Sequence, residues 1–213
     1  MTVIENVFIC ITAPILFAII CSRERARKMM LFLLAGMSMC LLSSYISAFL
    51  AVSQGADMTL AQVEIAPLVE EVMKFLPILF YLLVLEPKTE EIAPYTLMIG
   101  VGFATFENVC YLMRNESDQL VSLAIRGFST GAMHVMCGYI VAVGLMHLWD
   151  RDWLRIAGTV SLLVVASSYH GVYNLLVAQT GVAAIIGYCI PLVTAVIGLI
   201  LRTKLRIRVP VMR

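Results

Sequence analysis

The sequence predicts an all-α fold, a polytopic bundle of about seven transmembrane helices. Three observations lead there. Hydrophobic residues fill 61% of 213 positions and charged residues only 14%, whereas soluble domains average about 45–50% and ~25%. The apolar residues come in runs of roughly 20 between charged breaks, the length that crosses a bilayer. These runs are too long and too uniformly apolar to be barrel strands, and a lipid-embedded backbone must bond internally, so only helices fit.

The runs lie at approximately 3–21, 29–52, 60–85, 95–113, 120–148, 154–177 and 182–201. The first carries Glu5 and no early Lys or Arg. It is therefore expected to be retained as a helix, since a signal peptide opens with a basic region. In the second, sixth and seventh runs Leu, Ile, Val and small residues dominate. The fifth carries Gly127, Gly131 and Gly138; the Gly127–Gly131 spacing is a pattern that lets helix backbones approach. No loop exceeds about a dozen residues, so residues 1–213 read as a single transmembrane domain, with a chemical core at about 60–177.

Cations set the orientation. Arg23, Arg25, Arg27, Lys28, Lys88, Arg151, Arg155, Arg202, Lys204, Arg206, Arg208 and Arg213 share one side in a seven-span chain, against Arg114 on the other. The N-terminus is expected outside and the C-terminus in the cytoplasm. The basic tail is an anionic-lipid signal, and no aromatic-interleaved basic patch suggests nucleic acid. Six cysteines (Cys10, Cys21, Cys40, Cys110, Cys137, Cys189) fall in or beside apolar runs with no C-x-x-C pair, so they read as small buried hydrophobes rather than a disulfide or zinc framework.

The third run departs from this apolar pattern. It holds Glu64, Glu70, Glu71 and Lys74, with Pro67 and Pro77 bracketing the acidic pair. Ionisable groups at such depth cost at least ~2.5 kcal/mol each and normally face protein or a wet cavity. The prolines imply either an ordinary kink or a locally opened helix. Three further runs carry polar groups: Phe103-x-x-x-Glu107-Asn108 with Tyr111, then Arg126 and His134, then Ser167, Ser168, His170 and Asn174.

Helical spacing lets either Glu70 or Glu71 reach Lys74. His170 and Asn174 share a face, as do Phe103, Glu107 and Tyr111. At 1.5 Å per residue, the acidic pair lies roughly 15 Å below the outer surface, Glu107 and His170 ~10 Å, and His134 ~20 Å unless its helix tilts. Agreement in level points to one water-accessible site opening outwards. Two carboxylates and two imidazoles can activate water and protonate a leaving amine. Asn174 with His170 can stabilise an oxyanion. The same side chains, Glu107, His134 and His170 among them, can instead hold a zinc ion, although H-E-x-x-H is absent. Serine chemistry lacks a G-x-S-x-G elbow. Arg126 is expected to snorkel outwards or pair with an acid, and His147 to lie at the cytoplasmic interface.

Glu70-Glu71-x-x-Lys74, Phe103-x-x-x-Glu107-Asn108, His134 and His170-x-x-x-Asn174, in this order over residues 67–175, resemble the PrsW family of intramembrane proteases. The pattern is also similar to the CAAX-prenyl endopeptidase and bacteriocin-processing superfamily, which ordinarily has His at the place of Glu107; a prenylated substrate is therefore not implied. The resemblance implies hydrolysis of a peptide bond in a membrane-associated protein, such as the first, extracytoplasmic cut of a membrane-spanning anti-sigma factor in a bacterial plasma membrane. It implies Glu70 and Glu71 as essential acids, His134 and His170 as supporting groups, and either zinc or glutamate-activated water. Homology makes Glu70 the base, while i,i+4 pairing of Glu70 with Lys74 would leave Glu71 free. Two other classes compete. A proton-coupled transporter would use the same Glu/His chain, and a non-catalytic scaffold would not need it.

Overall fold

The computed structural model describes residues 3–114 and 120–204. The side chains of the basic tail from Arg202 to Arg213 lie outside the described ones. Seven long helices follow the apolar runs: α1 Val3–Cys21, α2 Glu24–Gln54, α3 Ala66–Val84, α4 Thr89–Arg114, α5 Leu120–Leu148, α6 Asp152–Val177 and α7 Val182–Lys204. The chain enters α3 through one turn at Met58–Leu60 and a π-helical stretch at Ala61–Ile65. Asp57 caps that entry, its Oδ1 accepting the Leu60 N–H at 2.8 Å, as an acidic N-cap does. Glycine ends α2: Gly55, at φ 62°, turns the chain left-handed and donates its N–H to Ala51 and Val52.

Of the seven long helices, all except α3 are long and apolar enough to cross a membrane. The exception is the helix that carries Glu70, Glu71 and Lys74. Its polar load is what makes the bundle necessary, because these groups must turn away from lipid. The helix α3 packs on α2, α4 and α6, while α4 packs on α2 and α5, and α5 on α6. These five surround the interior. The flanking α1 lies mainly on α2, and α7 on α5 and α6.

Backbone approach is closest between α2 and α4, and not where the Gly127–Gly131 spacing suggests. A Cβ on Gly36 would lie 2.1 Å from Ile99 O, and one on Gly102 2.0 Å from Leu33 O. A Cβ on Gly131 would meet nothing within 4 Å, and one on Gly127 only the Asn108 amide at 3.7 Å. The glycine pair on α5 therefore fits a small-residue seam in sequence only. Gly100 matters more to the site. A Cβ there would come 3.0 Å from His134 O, so its absence lets α4 lie directly on the backbone that carries His134.

Candidate active site

Four helices bring one ionisable knot together near the end of the bundle where α3 begins. From α3, Glu71 and Lys74 are buried, 3% and 7% exposed. Lys74 Nζ donates to Glu71 Oε1 at 2.5 Å and contacts His134 Nδ1 of α5 at 2.9 Å. The Phe103 ring of α4 lies 4.8 Å from the ammonium, within cation–π range. Glu71 Oε1 also meets His170 Nδ1 of α6 at 2.9 Å. Glu107 of α4 bonds His134 Nε2 through Oε2 and pairs through Oε1 with Arg126 Nη2 of α5 at 3.4 Å. The imidazoles of His134 and His170 stand edge to face, 5.0 Å between centroids.

Donor logic fixes the protons. An ammonium only donates, so His134 Nδ1 accepts from Lys74, and Nε2 carries the hydrogen that bonds Glu107. An ionised carboxylate only accepts, so His170 Nδ1–H donates to Glu71. In the neutral ring, His170 Nε2 then presents a lone pair. What it faces, at 3.7 Å, is Glu70 Oε2, a buried oxygen with no hydrogen-bond partner. Two acceptors with no donor between them form an electron-rich spot that favours a cation or an incoming proton.

The neighbouring glutamates are therefore not equivalent. Lys74 takes Glu71, three residues before it, and leaves Glu70 uncommitted. The i,i+4 pairing of Glu70 with Lys74 does not form.

The sequence-derived residues Glu70, Glu71, Glu107, His134 and His170, with Lys74 in support, lie within this knot. Asn108 supports it from the rim: its Oδ1 accepts from Arg126 Nη1 at 3.3 Å and its Nδ2 donates to Gly127 O at 3.3 Å. Arg126 pairs with an acid, as expected, and its guanidinium lies 3.5 Å from the Tyr111 ring centroid. Asn174 sits one turn beyond His170 but spends its amide on the Gln62 carbonyl, at 3.0 Å. Ser129 donates to Tyr188 O at 2.9 Å, and the buried Ser167 Oγ has no partner. Beneath the knot, a small cavity is lined by Glu71, Lys74, Phe75, Thr96, Gly100 and Gly138 among others.

His134 was the one group counted as too deep. The helix α5 has 29 residues, about 44 Å at 1.5 Å per residue, against a hydrocarbon core of ~30 Å. A helix of that length must tilt or extend past the membrane, and either way depth counted from its first residue overstates how far His134 is buried.

Glu70, His134 and His170 offer ligand atoms all within 4.8 Å of one another. A carboxylate and two imidazoles are the donor set of several catalytic zinc sites. This set includes Glu70 in place of Glu107, the carboxylate named beside the two histidines from the sequence; Glu107 bonds His134 and Arg126. The unpartnered Glu70 oxygen beside the His170 lone pair fits such an ion. His134 has both nitrogens engaged and would join it only by exchanging one bond.

A family model described as PrsW family intramembrane metalloprotease matches residues 24–201. No curated protein and no solved structure matches the chain.

Proposed function

The chain belongs to the PrsW family of intramembrane metalloproteases, and from that premise we propose that it cuts a membrane-spanning protein near the extracytoplasmic face, with Glu70 handling the proton of the attacking water. It is a multi-pass membrane protease whose substrate is a protein. The finer reading concerns which residues act and on what. The observation that carries it is the unpartnered Glu70 oxygen 3.7 Å from His170 Nε2.

Glu70, His134 and His170 are the residues that would hold the family's metal ion. Such an ion supplies a water acidified enough to attack at neutral pH. The chain's own groups do the rest. Glu71, paired with Lys74, aims His170, and Lys74 would yield His134 Nδ1 to the ion. Glu107 accepts from His134 and is itself balanced by Arg126; carboxylates behind ligating imidazoles commonly play this orienting part. The Glu70 oxygen left free of the ion would take a proton from water as the new C–O bond forms, then return it to the departing amine as the C–N bond breaks. Water adds across the peptide bond, leaving a carboxylic acid and an amine.

The cation asymmetry between loops supports an outward-facing site, since α3, α5 and α7 begin, and α4 and α6 end, on the cation-poor side. That side suits an extracytoplasmic cut, in a bacterial plasma membrane on a target such as an anti-sigma factor. The test is cleavage of an epitope-tagged single-span reporter panel in proteoliposomes. Wild-type protein should release a fragment cut near the outer face, and Glu70→Gln should not. Equal cleavage by the variant would remove Glu70 from the chemistry.

A further inference from the structure

The entry to α3 contains a backbone defect. Across Ala61–Ile65 the helix widens to π register, and Ala66 N–H bonds Ala61 O, five residues back. In α register that N–H would have gone to Gln62 O. In π register Gln62 O would wait for residue 67, which is Pro67 and has no N–H. Neither partner is available from its own helix, and a carbonyl orphaned in a membrane protein is costly. The donor arrives from 112 residues away: Asn174 Nδ2 at 3.0 Å. One turn earlier on α6, Gly171 faces the same segment: a Cβ there would lie 3.4 Å from Val63 O and 4.0 Å from the Pro67 ring, in ordinary contact.

We propose that Asn174 is a positioning residue, one that completes the π turn at Gln62 and so fixes the rotation at which α3 presents Glu70 and Glu71 to His170. The inference rests on the proteolytic reading above and assigns Asn174 a task other than donating to the substrate's oxyanion. The π turn moves every later residue of α3 around the helix axis relative to an unbroken helix. Returning to α register would swing the adjacent acids, ~100° apart, away from their present neighbours. Asn174 sits on the same helix face as His170, so one helix both holds the register of the acids and supplies the imidazole they meet.

Removing the partner of a carbonyl differs from removing a catalytic donor, because the chain itself can replace the former. Pro67→Ala restores an N–H five residues after Gln62. Asn174→Ala alone should lower kcat by about tenfold or more with KM little changed. Combined with Pro67→Ala, it should recover to near the level of Pro67→Ala alone. A double variant as impaired as Asn174→Ala would overturn the proposal and favour an oxyanion role. A second readout needs neither activity nor Pro67→Ala. With glutamine main-chain carbonyls 13C-labelled in purified protein, Asn174→Ala should move one amide I band to higher frequency, as Gln62 O loses its donor. No moving band would refute the contact even where the protease reading stands. A moving band in a protein that cleaves no reporter would uphold the contact and sink the protease reading.

Discussion

The two ends of the α2–α6 bundle are built from the same helices and held by different forces. Away from the knot, Leu82, Ile92 and Leu145 are at most 2% exposed. Phe32, Tyr81 and Tyr95 there form a three-ring cluster with centroids 4.8–5.3 Å apart. Packing and dispersion dominate that half, beside one hydrogen bond that the Tyr81 hydroxyl donates to Glu91 Oε2 at 2.8 Å. At the other end, the interior holds three carboxylates, Glu70, Glu71 and Glu107, two cations, Lys74 and Arg126, and two imidazoles. Glu71 is paired with Lys74 and Glu107 with Arg126. Glu70 is the carboxylate left over. The apolar half can be complete in itself, whereas the polar half leaves one carboxylate without a protein cation to pair with.

That contrast can be broken residue by residue. The largest effect is expected at Glu70. Glu70→Gln removes no hydrogen bond that Oε2 makes, so thermal stability should hold while cleavage falls about 10²–10⁴-fold. Glu71→Gln should lose both, because it strands Lys74 in the interior at a cost of about 3–5 kcal/mol; thermal unfolding in detergent separates the two variants. Arg126→Gln should come next, with cleavage reduced about tenfold as Glu107 loses its balancing charge and Arg126→Lys recovering part of it. In the apolar half the pattern should invert. Leu82→Ala, at a buried position about two turns beyond Lys74, should cost about 2 kcal/mol or more of stability and leave cleavage per folded molecule unchanged. The smallest effect belongs to Gly131→Ala, which has room for its methyl and should be silent in both assays; Gly102→Ala, against Leu33 O, should not be.

The same contrast explains what the sequence could tell. All seven helices are legible as apolar runs, and the polar residues of α3 to α6 stand out because lipid penalises them. Which acid Lys74 takes is not legible, since i,i+3 and i,i+4 are both within reach and the choice depends on three other helices. Arg126 and Glu107 meet across 19 residues and two helices, with no periodicity to announce them. Asn174 looks like a donor to substrate because it follows His170 by one turn. Its bond to Gln62 requires knowing that the helix widens before Pro67, and the two prolines alone left that open. The intimate α2–α4 seam at Gly36 and Gly102 was hidden because those glycines lie on separate helices, while Gly127 and Gly131 repeat on one.

The most direct test of the uncommitted acid is metal content measured alongside cleavage in purified protein. One zinc per chain should be present in the wild type and lost with activity on chelation. Zinc should restore both, and Glu70→Gln should hold substantially less metal while remaining folded. Full cleavage by protein shown to be metal-free, or undiminished metal in Glu70→Gln, would contradict the account.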